Sequence, residues 1–468
     1  MRSKKEVSSL PNWENFSLEE QVAQMIVVRA SGYLFDQQIQ YPVWEPPAQQ
    51  LQYWLQELAV GGVILLGGSA AELSLRSQQL QDWAKYPLLI AADIEEGVGQ
   101  RFSGATWFPP PMAIGAVALK DGEKAQLYAQ QMGAITAQEA LSVGINWLLA
   151  PVVDVNNNPD NPVINVRAFA DTREVVSQLA CSFIQGAQQY PILTTAKHFP
   201  GHGDTAIDSH LELPVLSHSE SRLEEVELPP FSAAISSGVD AVMSAHLLIP
   251  AWDQQYPATL SKRVLTNLLR DKLGFDGLIV TDALVMGAIA NRYGAEEAPV
   301  LALEAGADIL LMPVNPEATI QAVCAAVRAG RIPLESILSS VKRIWKAKAK
   351  VRGQEASAPK SASQDLFQAI AQPKALTTAA NIMVDSQLVG GALPLVPTSS
   401  NSGTSRNLIV VDDSLVCEFL GRHTPAVAKP RELGYQLQLI DRHTPLTPEQ
   451  VGEVVATQPT LLQLFIRG

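Results

Sequence analysis

Short apolar runs rich in β-branched residues alternate with longer amphipathic stretches from residue 20 to about residue 315. Runs of this length favour strands, and apolar residues at helical spacing favour helices between them. The predicted strands are QMIVVRA (24–30), GGVILLGG (61–68), PLLIAADIE (87–95), INWLLAPVVDV (145–155), ILTTAKHF (192–199), AVMSAHLLI (241–249), GLIVTDAL (277–284) and ADILLMP (307–313). About eight strand–helix units over roughly 300 residues predict an α/β fold, a closed (β/α)₈ barrel of the TIM type.

Amphipathic segments between these strands predict the helices of the barrel. Several of them begin at Pro or Ser and end near Gly, as helix caps require. The segments are PPAQQLQYWLQELA, AAELSLRSQQLQDWAKY, KAQLYAQQMGAITAQEAL, REVVSQLACSFIQGAQQ, SKRVLTNLLRDKLG and PEATIQAVCAAVRAG.

A small, polar, proline-containing stretch, GQEASAPKSASQD (353–365), has the composition of a linker. We therefore predict a catalytic barrel over 1–352, a linker over 353–373 and a smaller α/β domain over 374–468. In that domain NLIVVDDSL and YQLQLIDRH read as strands and TPEQVGEVVAT as a helix. The last segment, TLLQLFIRG, resembles a strand with nothing after it, so the second domain is expected to be truncated.

The charge and composition of the chain limit the classes of protein to which it can belong. Hydrophobic residues make up 47% of the chain and charged residues 17%, which is typical of a soluble globular protein. The net charge of -13 argues against nucleic acid as a partner. No apolar run follows the basic N-terminus and none elsewhere is long enough to span a bilayer, so we expect no membrane association and a cytoplasmic location. The three cysteines lie far apart, which indicates neither disulfides nor a cysteine metal site.

Titratable side chains concentrate after the fifth predicted strand. The segment KHFPGHGDTAIDSH (197–210) holds three of the seven histidines, and its prolines and glycines supply turns for a loop over a pocket. A rigid polar loop without function is one alternative. Metal binding by His198, His202 and His210 is another, because His and Asp at these spacings can ligate zinc.

Carboxylates at other strand ends favour sugar chemistry over metal chemistry. Asp93, Asp154 and Asp282 end predicted strands three, four and seven, and His246 ends strand six. Glycoside hydrolysis needs a carboxylate on one face of the sugar and a proton donor on the other. Asp282 directly follows an apolar strand, where it would face the barrel mouth as a nucleophile; its alternative role is an ordinary helix cap.

Asp208 and His210 are the candidates for proton transfer. They lie two residues apart, so the carboxylate can fix the imidazole tautomer and raise its basicity. A histidine near its usual pKa of about 6.5 can donate to a departing oxygen and then accept a proton from water. A structural turn with a surface histidine is the alternative.

Together these residues resemble family 3 of the glycoside hydrolases, in its bacterial β-N-acetylglucosaminidase branch. KHFPGHGDTAIDSH is similar to that branch's KHFPGHGDTxxDSH signature. Further agreement comes from APVVDVNNNPDNPVINVRAF (150–169), SAHLLIP (244–250), PATLS (257–261), GFDGLIVTDAL (274–284) and AGADILLMP (305–313).

The resemblance implies roles residue by residue. Asp282 becomes the nucleophile and Asp208 with His210 the acid/base dyad. A first-subsite N-acetylglucosamine would be bound by Asp93, Arg101, Arg167, Lys197 and His198. The branch commonly reads D-x-E-G-G-R-V-Q-R after strand three, whereas this chain has DIEEGVGQR (93–101), with Glu96 for the first Gly and Val98 for the Arg.

The sequence thus predicts a retaining exo-glycosidase that needs no metal or other cofactor. It would hydrolyse terminal β-linked N-acetylglucosamine from muropeptides or chitin-type oligosaccharides through a covalent glycosyl-Asp282 intermediate, and a cytoplasmic address would imply peptidoglycan recycling. Three alternatives stay open: phosphorolysis of the same bond, a metal-dependent amidohydrolase on the same barrel, and a non-catalytic sugar-binding protein.

Overall fold

The structure is a computed structural model of the 468-residue chain. It describes residues 10–205, 213–352, 364–387, 406–411, 425–433, 435–440 and 460–465. By its internal contacts the chain divides into two compact units, residues 1–387 and residues 388–468.

Eight short parallel strands form the centre of the first unit, in two groups of five and three. Each coincides with one of the predicted apolar runs. They are β1 (Ile26–Ser31), β2 (Gly62–Leu66), β3 (Leu89–Ala92), β4 (Trp147–Leu148), β5 (Thr195–Phe199), β6 (Ala241–Ser244), β7 (Leu278–Val280) and β8 (Leu310–Leu311).

Isolated bridges join the two groups of strands at both gaps, so the sheet closes. The two groups have the strand orders β4-β3-β2-β1-β8 and β5-β6-β7. The bridge of Trp147 with Leu193 joins them between β4 and β5. A bridge of Val280 with Ile309 joins β7 to the segment that leads into β8. The predicted (β/α)₈ barrel is confirmed.

Helices cover the barrel from outside. They are α1 (Leu18–Ala23), α2 (Ala48–Gln56), α3 (Ala70–Trp83), α4 (Pro111–Ala118), α5 (Gly122–Ser142), α6 (Arg173–Ala187), α7 (Glu220–Val226), α8 (Leu228–Ser236), a π-helix (Arg263–Lys272), α9 (Gly287–Tyr293), α10 (Glu297–Ala305), α11 (Pro316–Arg328), α12 (Leu334–Arg352), α13 (Gln364–Ala369) and α14 (Pro373–Ser386). Short 3₁₀ turns cover Trp13–Asn15, Asp36–Gln38, Val98–Gln100, Asn165–Arg167 and Ala258–Leu260.

Local capping explains where several helices begin. Ser69 accepts a hydrogen bond from the Glu72 backbone N–H, and Glu72 accepts one from the Ser69 backbone, a capping box that starts α3. Asn315 caps α11, whose first residue is Pro316. The helix predicted at 261–274 is wound with i→i+5 bonds such as Leu273 N to Leu268 O.

The alternation of side chains along the strands separates a helix-facing surface from the barrel interior. Paired residues on neighbouring parallel strands point to the same face. Val27, Ala91, Lys197, Met243 and Val280 share the interior face through such pairings, and all are buried. This face leads upward to the carboxyl ends of the strands, where barrel enzymes hold their reactive groups.

The boundary predicted at the end of the barrel differs from the observed division. Helix α14, which falls where the second domain was predicted to begin, lies in the first unit and buries Ala375 and Ile382. Its Asp385 accepts a hydrogen bond from Tyr128 of α5 at 2.6 Å, which ties the helix to the barrel's outer layer. Residues 353–363 of the predicted linker lie outside the described residues.

The second unit contains a parallel three-stranded sheet in the order β10-β9-β11. Its strands are β9 (Arg406–Val411), β10 (Gln436–Ile440) and β11 (Thr460–Phe465), with helix α15 (Pro425–Glu432). The predicted strands there, including the last one, are confirmed, whereas the predicted helix TPEQVGEVVAT lies outside the described residues.

Among the described helices of both units, none combines the length and apolar character needed to cross a bilayer.

Candidate active site

Lys197 of β5 lies between two carboxylates that follow β3. Its Nζ is 2.7 Å from Asp93 Oδ1 and 2.6 Å from Glu95 Oε1. Arg167 donates to Glu95 from the other side, Nε to Oε2 at 2.9 Å and Nη2 to Oε1 at 2.8 Å. Because β3 and β5 are not adjacent strands, these side chains meet over the barrel interior, so the structure brings Asp93, Arg167 and Lys197 together.

Glu95 is a member of this cluster that sequence reasoning did not assign. Burial alone would raise its pKa, but Arg167 and Lys197 hold the pKa of Glu95 well below its usual value. Burial likewise opposes the charge on Lys197, yet Asp93 and Glu95 keep the pKa of Lys197 raised. Glu95, Arg167 and Lys197 are therefore charged at neutral pH. The sequence did carry a signal for Glu95, because it stands two residues after Asp93 and matches the E of the D-x-E pattern.

Asp154 fixes the orientation of His198 and the backbone of the following turn. His198 Nδ1 lies 2.8 Å from Asp154 Oδ2, and the His198 and His202 backbone N–H groups donate to the same carboxylate. Burial opposes ionisation of Asp154, but the side chain of His198 and the backbone N–H of His202 keep its pKa lowered. An ionised carboxylate only accepts hydrogen bonds, so Nδ1 of His198 carries a proton that it donates to Asp154.

Asp282 follows β7 and is partly exposed at the same end of the barrel. Its Oδ1 accepts a hydrogen bond from the Ala283 backbone N–H at 2.7 Å. Burial raises the pKa of Asp282, but His246, His198, the Ala283 N–H and Lys197 together bring it below its usual value. The electrostatic coupling to Lys197 and His198 places Asp282 with the cluster that begins at Asp93.

His246 at the end of β6 supports the backbone beside Asp282. Its Nε2 lies 3.1 Å from the Ala283 carbonyl oxygen, and its Nδ1 lies 2.8 Å from Thr259 Oγ1. The sequence placed His246 at a strand end without a role. The structure shows it held between two elements and directed at the residue after Asp282.

The loop after β3 carries the two departures from the family pattern. Glu96 is buried and accepts a hydrogen bond from Trp107 Nε1 at 2.8 Å, while Val98 is packed in the core. Gly97 has a φ of +89°, and a Cβ there would lie 2.6 Å from the Thr106 carbonyl oxygen. Arg101 is exposed, and its Nε donates to the Asp93 backbone carbonyl at 3.1 Å.

The predicted proton-transfer pair, Asp208 and His210, lies outside the described residues. The chain is described up to Thr205 and again from Leu213. Across this interval, His218 Nε2 lies 2.8 Å from Asp204 Oδ2. Arg222 lies 3.4 Å from the same oxygen and also pairs with Glu227.

The described part of the chain holds no cluster of metal ligands. It contains no group of three or more His, Cys, Asp or Glu side chains arranged to hold a metal ion. His202, one of the proposed ligands, has its Nδ1 2.9 Å from Thr205 Oγ1, and burial lowers its pKa to about 4. His202 is therefore a neutral, hydrogen-bonded core histidine.

Comparison with known families identifies the barrel. Residues 17–347 match the family described as Glycosyl hydrolase family 3 N terminal domain. The chain belongs to glycoside hydrolase family 3. Residues 398–468 of this family 3 chain match the description Bacterial Glycosyl hydrolase family 3 C-terminal domain, so both units carry family features and the predicted resemblance is confirmed.

Individual relatives agree with this family 3 assignment. The chain is 34% identical over 343 residues to Beta-hexosaminidase A of Pseudoalteromonas piscicida, a match that covers 67% of this chain and 56% of that relative. It is 32% identical over 311 residues to the Beta-N-acetylglucosaminidase/beta-glucosidase of Cellulomonas fimi, covering 64% and 54%. The match thus spans little more than half the length of these two curated relatives.

A solved structure covers more of this family 3 chain. It is the structure of a glycoside hydrolase family 3 beta-N-acetylglucosaminidase from Paenibacillus sp. str. FPU-7, with a TM-score of 0.80 and 33% sequence identity. The similarity covers 96% of this chain and 84% of that one. The architecture of a barrel followed by a smaller domain is therefore shared.

Proposed function

We propose that this chain is a retaining exo-β-N-acetylglucosaminidase that releases terminal β-linked N-acetylglucosamine. The observation that carries the proposal is Asp282, an ionised carboxylate at the barrel mouth beside Lys197, His198 and His246. The family, and the names of the relatives in Pseudoalteromonas and Paenibacillus, support a glycoside hydrolase acting on N-acetylhexosaminides.

Asp282 is the proposed nucleophile. Its Oδ1 is held by the Ala283 N–H, so Oδ2 is available to attack the anomeric carbon. The new carbon–oxygen bond forms as the bond to the leaving oxygen breaks, and the developing positive charge on the sugar is stabilised by the carboxylate. A lowered pKa suits this role because only the ionised form is nucleophilic.

The first subsite is proposed to be Asp93, Arg101, Arg167, Lys197 and His198. Asp93 and Lys197 present a carboxylate and an ammonium in direct contact, which can accept from and donate to adjacent ring hydroxyls. Glu95 forms ion pairs with both Arg167 and Lys197. A subsite preorganised in this way fixes the anomeric carbon relative to Asp282.

Asp208 and His210 are proposed as the acid/base dyad on the basis of the sequence. His210 would protonate the leaving oxygen in the first step and accept a proton from water in the second. Water then attacks the glycosyl-Asp282 bond, releases N-acetylglucosamine and restores the carboxylate, which gives net retention. The physiological substrates are proposed to be muropeptides or chitin fragments, with a cytoplasmic role in peptidoglycan recycling.

Paired chromogenic substrates test the proposal. We expect fast release from a β-N-acetylglucosaminide, slow release from the matching β-glucoside, and a β-configured first product in proton NMR. Asp282→Ala should abolish turnover while N-acetylglucosamine still binds, because the subsite cluster is unchanged. The exposed variant Glu174→Gln is a control that should behave as the wild type.

Four results would each overturn part of this proposal. A preference for the β-glucoside would reject the substrate class, and an α-configured first product would reject the covalent intermediate. A strict requirement for phosphate would replace hydrolysis by phosphorolysis. Stoichiometric zinc with loss of activity on chelation would favour the amidohydrolase alternative.

A further inference from the structure

Two aromatic side chains lie exposed in the segment that joins β1 to α2. Tyr41 is 44% exposed and Trp44 is 47% exposed, unusually open for rings of this size. Their planes are within 23° of parallel and their centroids are 6.2 Å apart. They form a pair of neighbouring apolar surfaces, called here the aromatic platform.

Arg29 of β1 connects the aromatic platform to the barrel interior. Arg29 pairs with Ile64 of β2, and Ile64 pairs with Ala91 of β3. Paired residues point to one face, and Ala91 shares its face with Asp93, two residues further on. Since Asp93 points into the interior toward Lys197, the side chain of Arg29 also faces the interior, beneath the barrel mouth.

The guanidinium of Arg29 holds the platform from below. It lies 5.1 Å from the centroid of the Tyr41 ring and 5.4 Å from that of the Trp44 ring. Its Nε and Nη2 lie 3.2 Å and 3.1 Å from Oε1 of the buried Glu45. Because Arg29 rises from the interior face, both rings are anchored at the same mouth that holds Asp93 and Asp282.

The platform is also rigid. The backbone N–H groups of Trp44 and Glu45 both donate to the Tyr41 carbonyl, at 3.0 Å and 2.8 Å. Pro42, and Pro46 with Pro47 immediately after Glu45, restrict the backbone on both sides of the turn. Rings held in one position lose little conformational entropy when a ligand packs on them.

We propose that Tyr41 and Trp44 bind the sugar on the leaving-group side of the scissile bond. This inference rests on the proposed function, which places only the non-reducing sugar over Asp282. The faces of a β-linked pyranose carry axial C–H groups that pack on an aromatic ring, while its edges remain polar. An open platform flanked by the Arg29–Glu45 pair matches such an amphipathic ligand.

A small-molecule sugar fits the platform better than a protein partner does. The two rings offer a surface about the size of one or two sugar rings, far below a stable protein interface of about 800 Å² per partner. Arg29 connects the platform to the barrel mouth, where the first subsite is proposed to lie. A ligand that is already bound at this mouth is therefore favoured over a separate partner. The second sugar of the substrate satisfies this requirement.

Kinetics with substrates of two lengths test the platform. Tyr41→Ala and Trp44→Ala are each expected to raise KM for N,N′-diacetylchitobiose about three- to tenfold, as the loss of one stacked ring predicts. The inhibition constant of free N-acetylglucosamine, which fills only the first subsite, should stay unchanged. Trp44→Phe keeps a ring and should recover most of the wild-type KM.

Tyr53→Ala supplies a matched control, because Tyr53 is 42% exposed on α2 and is not part of the platform. Its KM for the disaccharide should equal that of the wild type. If the wild type cleaves the disaccharide and the platform variants match it, the platform is refuted while the proposed function stands. If the wild type cleaves no β-N-acetylglucosaminide, the proposed function itself fails.

Discussion

His218 Nε2 lies 2.8 Å from Asp204 Oδ2, so the chain is tied together on the two sides of residues 206–212. This interval contains Asp208 and His210, the proposed acid/base pair. A contact between the two flanks lowers the entropy cost of bringing the ends of the intervening segment together. We therefore expect His218 to act as a positioning residue for the proposed acid/base pair.

His218→Ala is expected to lower kcat about tenfold with little change in the inhibition constant of N-acetylglucosamine. The reason is that misplacing a catalytic group by about 1 Å is costly, whereas the first subsite is not in contact with His218. His218→Gln, whose amide nitrogen can still donate to Asp204, should restore most of the activity. Equal losses of kcat in both variants, or a matching loss of sugar binding, would contradict the positioning role.

Glu95→Gln is expected to destabilise the protein by about 3–5 kcal/mol, because Lys197 and Arg167 would lose a buried carboxylate. Urea unfolding measures this change. The folded pKa of Glu95 is well below 4.5, so its contribution is present above pH 4.5 and is lost as the pH falls further. The wild type should therefore lose stability relative to the variant below that pH.

A surface ion pair provides the control for the Glu95 experiment. Glu304→Gln removes a carboxylate from the exposed Arg331 pair and should change stability by at most about 1 kcal/mol. A Glu95→Gln variant as stable as Glu304→Gln would show that the buried cluster contributes nothing beyond a surface pair.

His246→Ala is expected to move the acid limb of the kcat/KM profile to higher pH. Burial raises the pKa of Asp282, and His246 is the foremost group that opposes it. Without His246 the Asp282 carboxylate should protonate at a higher pH, and only its ionised form is active. Thr259→Ser, which keeps the hydroxyl that contacts His246, should leave the acid limb in place. Identical acid limbs in His246→Ala and wild type would exclude this coupling.

Lys348 of α12 is buried, and its Nζ donates to Gln24 Oε1 at 2.6 Å. Burial lowers its pKa from 10.5 to about 7, so the folded protein binds fewer protons than the unfolded chain between these values. Stability from this group is thus expected to rise with pH over that window. Lys348→Met should stabilise the protein by about 1–4 kcal/mol near neutral pH.

The difference in unfolding free energy between wild type and Lys348→Met, measured from pH 7 to pH 10, isolates the lysine from other titrating groups. It should shrink as the pH rises, because the wild-type lysine becomes neutral in both states. A difference that stays constant across this range would mean that Lys348 is not protonated on unfolding as expected.

Much of the architecture followed from local patterns in the chain. The alternation of apolar runs and amphipathic segments predicted all eight barrel strands. This was possible because the buried face of a strand or helix determines the spacing of its own apolar residues. Asp93 and Asp282 were singled out because they end such runs, whereas the resemblance to family 3 supplied the expected role of Lys197. The amphipathic pattern of α14 is compatible with either unit, and its contacts with α4 and α5 assign it to the first unit.

Partnerships between distant residues were decided by the tertiary structure alone. Glu95 and Arg167 are 72 positions apart, and His198 and Asp154 are 44 apart. Arg29 reads in the sequence as one charge in an apolar strand, and its interior position follows only from its register with β2. Strand order and register determine which side chains meet, and these depend on the closure of the whole barrel rather than on any segment's own pattern.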